Sequence, residues 1–111
     1  MRLLFAAICL VIAVSSQAAD VLTPKLLVGS WRSEKGYKYY FRADGNWEVH
    51  AWDMIDGGTW KLRNQQRLEL TYIIDKKVTK REIVAIDRVV HETLYVRSGE
   101  GRDVWLKQPS Y

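Results

Sequence analysis

The sequence has almost no cysteine: its 111 residues include a single one, Cys9. Cys9 lies in an apolar stretch near the N-terminus, so the rest of the chain can form no disulfide and carry out no thiol chemistry. Small domains without disulfides depend on a hydrophobic core for their stability. Hydrophobic residues make up 48% of the chain and include 5 tryptophans and 6 tyrosines. We therefore expect one well-filled core.

The familiar catalytic patterns are also missing. The 2 histidines, His50 and His91, are far apart in the sequence, without a partner at metal-ligand spacing. No serine has the Gly-x-Ser-x-Gly context of a nucleophile elbow, and there is no glycine-rich phosphate loop. The carboxylates Asp53 and Asp56 lie in turn-like sequence, where aspartate is common. We expect a protein that is not an enzyme and that uses no cofactor or metal.

An excess of charge of one sign is lacking too. The formal net charge is +4, which is too small to indicate a nucleic-acid partner. Basic residues cluster once, between acidic neighbours, in a segment that we interpret as a solvated hairpin tip: Lys76, Lys77, Lys80 and Arg81. Nucleic acid is therefore not an expected partner.

Long apolar runs are confined to the N-terminus. Residues 3–14 are all apolar, follow Arg2 and precede small residues, which is the pattern of a secretory signal peptide. This run is shorter than the roughly 18 residues that a membrane-spanning helix needs. We predict a cleaved signal peptide at 1–18, with cleavage after Ala19 as the alternative, and a single domain at 19–111. The mature protein should have no membrane span and be periplasmic or secreted.

The remaining sequence alternates between apolar and polar residues. In "YKYYFRADGNWEVHAWD", large apolar residues occupy every second position on both sides of an Asp-Gly pair, which predicts a β-hairpin. Similar segments follow, separated by the turn-like sequences "IDGG", "RNQQ", "DKK" and "SGEG". A short helical turn should precede them, because Thr23 can cap it, Pro24 suits its first position and Gly29 can end it.

Residues 78–96 fit two interpretations. Thr79 and Glu82 form a capping box ahead of apolar residues at helical spacing, which is typical of an amphipathic helix. The segment is also rich in valine, isoleucine and threonine, which favour strands. We favour two strands that turn at Asp87 and Arg88.

About eight short strands joined only by tight turns must pair with antiparallel neighbours, because parallel pairing needs a long crossover. Such a meander exposes two edges unless it closes on itself. We therefore predict an all-β fold: an antiparallel up-and-down meander barrel of about eight strands, with a short helical plug at its N-terminal end.

Glycine followed two residues later by tryptophan occurs three times, in "VGSW", "DGNW" and "GGTW". With "LLVGSWRSE", "YYFRADGNW", "GGTWKL" and "RLEL" in this order, residues 26–70 resemble the small lipocalin-like, calycin-type domains of exported bacterial proteins. The resemblance implies an antiparallel barrel and, in larger members, a cup for an apolar ligand. Gly29 and Trp31 match the glycine-tryptophan motif, which in that family is structural.

The alternation divides the large aromatic residues between two faces. Those expected to point inward fill the core or line a ligand site: Trp31, Tyr39, Phe41, Trp47, Trp60 and Tyr72. Tyr40 and Trp52 are expected on the outer face, where large aromatics beside charges can anchor a protein interface. The sequence leaves open whether the interior is filled or holds a cavity.

Two functions from different classes fit these features. The first is an exported, non-catalytic binding barrel that carries a hydrophobic or amphipathic small molecule. The alternative is a protein-interaction module of the cell envelope, a partner or inhibitor of a secreted hydrolase, whose barrel is filled by its own side chains. The identity of the ligand or partner and the oligomeric state are not predictable from these residues.

Overall fold

A computed structural model describes residues 21–109 of the chain. The predicted signal peptide and its cleavage site lie outside these residues. The described part contains one short helix and eight strands: α1 (Pro24–Leu27), β1 (Gly29–Ser33), β2 (Lys38–Phe41), β3 (Asn46–Ala51), β4 (Met54–Arg63), β5 (Arg67–Ile74), β6 (Lys77–Val90), β7 (Thr93–Ser98) and β8 (Gly101–Lys107).

The eight strands form a closed barrel in which each strand pairs antiparallel with the next. The ring is closed by β1 and β8, where Trp31 lies opposite Lys107. The prediction of an all-β, up-and-down meander barrel is therefore confirmed. In such a meander, alternate connections meet at the same end. The β1–β2, β3–β4, β5–β6 and β7–β8 connections thus surround one end of the barrel, which we call the open end.

The expected N-terminal helical plug is present only as a single helical turn. The Thr23 hydroxyl accepts a hydrogen bond from the Leu26 amide at 3.1 Å, and Pro24 takes the first helical position, as predicted. With four residues, α1 is too short to be described as a plug in its own right.

One turn was predicted in the wrong place. Residues 55–58, "IDGG", lie inside β4, and the turn is formed by Trp52 and Asp53 instead. The glycines serve a different purpose, because a Cβ atom on Gly57 would come within 2.5 Å of the Trp47 carbonyl oxygen. Glycine in a strand often marks such a close approach of two backbones.

Residues 78–96 form strands rather than a helix, but the predicted turn at Asp87 and Arg88 is wrong. β6 continues to Val90, and the pairing with β7 shifts its register between Ile86 and Arg88. This bulge places two consecutive residues on the outside, so that Ile86 and Val89 are both buried although they are three apart. The chain turns at residues 91–92, where His91 has φ 55°.

The core fills most of the barrel interior with aromatic rings and branched aliphatic side chains. Its largest fully buried members are Trp31, Trp47, Trp105, Phe41, Leu22, Leu27, Leu68, Leu70 and Leu94. The indole N–H groups are satisfied by neighbouring backbone carbonyls: that of Trp31 donates to Leu27 at 2.8 Å and that of Trp47 to Thr71 at 3.1 Å. Large rings can therefore be buried here without unpaired polar groups.

Candidate functional site at the open end of the barrel

The interior is not filled to the open end, where a cavity of about 200 Å³ remains. Five aromatic side chains line it: Tyr37, Tyr39, Trp52, Tyr72 and Trp105. Charged side chains also line it: the acids Asp56, Glu82, Glu100 and Asp103, and the bases Lys35 and Lys80. The cavity thus combines flat apolar surfaces with charge, unlike the core beneath it.

Tyr39 forms the boundary between the core and the cavity. Its ring stacks on Trp105 with a centroid distance of 4.2 Å and an interplanar angle of 25°. On the core side it also stacks on Phe41 at 6.2 Å and on Trp47 at 6.5 Å. This aromatic stack fixes the Tyr39 ring in place and makes one wall of the cavity rigid.

The two cavity tyrosines differ in their hydrogen bonding. Tyr72 donates its hydroxyl proton to Glu82 Oε1 at 2.8 Å, whereas the Tyr39 hydroxyl has no hydrogen-bond partner within residues 21–109. Burial, followed by the negative charges nearby, raises the pKa of Tyr39. Burial, followed by the Glu82 hydrogen bond, raises the pKa of Tyr72. Both phenols therefore stay protonated at neutral pH, and Tyr39 offers a free donor.

We expect both phenols to resist alkaline ionisation. The unfolded chain loses these protons near pH 10, the ordinary value, and the fold retains them to higher pH. The free energy of unfolding should therefore decline as the pH rises above about 10. In an absorbance titration at the phenolate band, some of the tyrosines should ionise only at a pH well above 10. Tyr39→Phe and Tyr72→Phe should each remove part of this late-ionising fraction. The expectation is wrong if neither substitution reduces the late fraction.

Asp103 is already engaged in the structure of the barrel. Its carboxylate accepts hydrogen bonds from the Ser33 hydroxyl, from the Trp105 indole at 3.2 Å and from the Val104 amide at 2.8 Å. Ser33 belongs to β1 and Asp103 to β8, so the bond between them reinforces the pairing that closes the barrel. Asp103 has little capacity left for a ligand.

The other three carboxylates of the cavity make fewer hydrogen bonds than Asp103. Glu82 accepts one hydrogen bond, from Tyr72. Among residues 21–109, neither Asp56, Glu82 nor Glu100 takes part in an ion pair. Asp56 and Glu82 are half-buried, so their charges are less screened by water than those of surface groups.

The rim of the cavity carries an unusual tryptophan. Trp52 is 86% exposed and has φ 55°, a left-handed conformation that glycine, asparagine and aspartate adopt more readily in a turn. The Tyr37 ring meets it edge-on at a centroid distance of 5.8 Å. Met54, also exposed, lies on the same rim.

The inward-facing candidates from the sequence separate into core residues, cavity residues and Trp60. Trp31, Phe41 and Trp47 are fully buried in the core, whereas Tyr39 and Tyr72 line the cavity. Trp60 packs against the core but does not line the cavity, and its indole donates to the Arg42 carbonyl at 3.0 Å.

The two outer-face candidates are not neighbours in one patch. Tyr40 is half-buried and packs edge-on against His50 at 4.9 Å. Trp52 was expected on the strand face that carries Glu48 and His50, but it lies in the turn at the rim. Tyr40 and Trp52 therefore do not form one surface, and of the two residues Trp52 alone borders the cavity.

Sequence reasoning missed the charged residues of the cavity, Asp56 and Glu82 among them, and also Trp105. Asp56 was assigned to a turn, and Glu82 was considered only as part of a capping box or as a neighbour of basic residues. Their alternation within β4 and β6 could have indicated that they point inward. Trp105 lies in "RDVWLKQ", where it stands between two other apolar residues, so alternation does not mark it as the inward one.

Other kinds of site find little support in the part of the chain that the structure describes. Within residues 21–109, no three histidine, cysteine or acidic side chains are grouped so that they could hold a metal ion. The helix found there, α1, has four residues and could not cross a membrane.

No known protein family, curated protein or solved structure matches this chain. The closed barrel of eight antiparallel strands is consistent with the lipocalin-like resemblance, while membership of that family and export stay predictions. The function must therefore be inferred from the geometry of the barrel itself.

Proposed function

We propose that this protein is an exported, non-catalytic binding barrel that holds a small amphipathic molecule at its open end. The observation that carries the proposal is the cavity of about 200 Å³, with its aromatic wall and the free hydroxyl of Tyr39. Ligand pockets typically combine apolar surfaces with a few polar groups that orient the ligand.

The size of the cavity limits the ligand. Pockets for drug-sized molecules usually measure about 300–1,000 Å³, and an engineered cavity of about 150 Å³ is known to hold benzene. At about 200 Å³, the cavity suits a molecule of roughly one ring. A long-chain fatty acid would extend far beyond it, which narrows the range of carriers that the sequence had suggested.

The opposite end of the barrel is occupied by side chains of the core. Leu22 and Leu27 are fully buried there, and the Leu27 carbonyl accepts the Trp31 indole hydrogen bond. In this proposal the turn α1 and the buried leucines seal that end, in the role expected of the helical plug. The ligand then enters and leaves between the connections of the open end.

Filling the cavity should abolish binding. Val84 is buried and lines the cavity, so Val84→Phe should place a ring there and weaken binding of a ring-sized ligand at least about tenfold, at an overpacking cost of about 1–3 kcal/mol. The matched control is Ile83→Phe, which adds the same ring at the exposed neighbouring position. Titration followed by tryptophan fluorescence, with thermal unfolding of each variant, measures both effects. Equal affinity in the two variants would contradict the proposal.

A second candidate, the envelope interaction module, is favoured by Trp52 alone. An exposed indole in a left-handed turn conformation does little for stability, and large exposed aromatics often anchor interfaces. The same variants separate the two candidates. A partner protein that docks on the rim would still bind after Val84→Phe, whereas a ligand held inside the cavity would not.

A further inference from the structure

We infer that the ligand of the open-end cavity is a small organic cation, an ammonium or guanidinium group carried on a compact aromatic or apolar body. This inference rests on the proposed function, because it assigns a chemical class to the molecule in the same cavity. It is carried by the distribution of charge and aromatic faces along the walls.

The charge of the lining is negative. It contains four acidic residues, Asp56, Glu82, Glu100 and Asp103, and two basic ones, Lys35 and Lys80, so its formal net charge is −2. Asp103 is occupied by three hydrogen bonds. The half-buried Asp56 and Glu82 remain as the groups that a cation could approach.

The two lysines reduce this negative charge but do not remove it. Lys35 is exposed and directs its Nζ to the Glu100 carbonyl oxygen at 2.9 Å. Lys80 is also exposed, with its Nζ 4.8 Å from the centre of the Tyr72 ring. Neither forms an ion pair with a cavity carboxylate within the described residues. Lys80 shows in addition that this wall already accommodates a cation over an aromatic ring.

The aromatic side chains suit the same ligand. Ring faces attract cations, and pockets that combine aromatic faces with carboxylates recognise ammonium groups. Tyr39 and Trp105 form the inner wall, and Tyr37 and Trp52 stand at the rim. The strained conformation of Trp52 is understandable if the indole is held over the mouth, where it can cover a bound ligand.

An anion of the same size should be rejected. It would meet uncompensated carboxylates in a partly desolvated site, where a like charge is unfavourable. A neutral analogue would keep the contacts with the rings and could accept the Tyr39 hydroxyl proton, but it would gain nothing from Asp56 and Glu82. The cation should therefore bind most tightly, the neutral analogue less tightly and the anion least.

Three probes that share one ring test this order: 2-phenylethylammonium, 2-phenylethanol and 3-phenylpropanoate. Calorimetric titration into the mature protein should give an affinity for the ammonium probe at least about tenfold higher than for the alcohol, and no measurable affinity for the carboxylate. Val84→Phe should abolish binding of the ammonium probe, which assigns it to the cavity.

Charge-neutralising variants identify the groups responsible. Glu82→Gln keeps an oxygen that can accept the Tyr72 hydrogen bond, and Asp56→Asn keeps the size of the side chain. Each should lower the affinity for the ammonium probe about fivefold to tenfold and leave the alcohol unchanged. Glu69→Gln is the control, since Glu69 pairs with Arg63 away from the cavity, and it should change neither affinity.

The outcomes separate this inference from the proposed function. If the alcohol or the carboxylate binds as tightly as the ammonium probe and Val84→Phe abolishes that binding, the cavity is a binding site but its ligand is not a cation. If no probe binds even at millimolar concentration, the proposed function and this inference both fail. If the ammonium probe binds to Glu82→Gln and Asp56→Asn as tightly as to the unsubstituted protein, the assignment of these two carboxylates to the cation is wrong.

Discussion

Replacing Gly58 with alanine is expected to destabilise the barrel by about 3 kcal/mol or more. Gly58 lies in β4 beside β5, and a Cβ atom added to it would overlap the carbonyl oxygen of Thr71. The obstacle is backbone, which cannot rotate away as a flexible side chain could. The same oxygen accepts the Trp47 indole hydrogen bond at 3.1 Å, so any displacement of it also disturbs a fully buried ring.

Gly99→Ala is the matched control for this substitution. A Cβ atom on Gly99 would meet nothing within 4 Å, so the change should alter the free energy of unfolding by no more than about 0.5 kcal/mol. Urea denaturation of both variants gives the difference in their free energies of unfolding, provided that this free energy falls with urea concentration at the same slope in both. Similar stabilities for the two variants would mean that β4 and β5 do not approach as closely as described.

Replacing Trp31 with alanine is expected to cost about 3–5 kcal/mol of stability. Trp31 has 0% exposure, its indole donates to the Leu27 carbonyl at 2.8 Å, and the Lys107 Nζ lies 5.5 Å from its ring centre. The substitution therefore leaves a cavity, frees the buried end of α1 and removes a contact between β1 and β8.

Trp52→Ala provides the comparison, because this tryptophan is 86% exposed. Its removal should change stability by no more than about 0.5 kcal/mol. Trp31→Phe should fall between the two, since it retains a buried ring but leaves the Leu27 carbonyl without its donor. Chemical unfolding followed by far-ultraviolet circular dichroism measures all three without relying on the tryptophans that are removed. A loss for Trp52→Ala as large as that for Trp31→Ala would contradict the assignment of core and rim.

The fold was predictable because alternation of apolar and polar residues is a local signal that each strand carries by itself. The turns were less predictable, since glycine has two uses that look alike in sequence. The segment "IDGG" was interpreted as a turn, but its two glycines lie in a strand, where they allow neighbouring backbones to approach each other. Asp87 and Arg88 resembled a turn for a related reason: both are exposed, because a bulge interrupts the alternation of β6.

The site was harder to predict than the fold. A half-buried carboxylate such as Glu82 occupies an inward position in the alternation, and a rule that assigns charged residues to the surface misplaces it. The meeting of Glu82 with Tyr72, ten residues away, depends on the register of β5 and β6. That register includes an irregularity between Tyr72 and Ile73, which the sequence pattern does not reveal.

The pairing of β1 with β8 has a consequence for how the chain reaches its native state. Trp31 and Lys107 become neighbours across almost the whole described length, and contacts between such distant residues form slowly. As the chain emerges from its N-terminus, seven strands can form before the eighth is available, and until then two unpaired edges stay open to other chains. The final hydrogen bonds of the ring thus also end the interval in which a growing polypeptide is prone to aggregate.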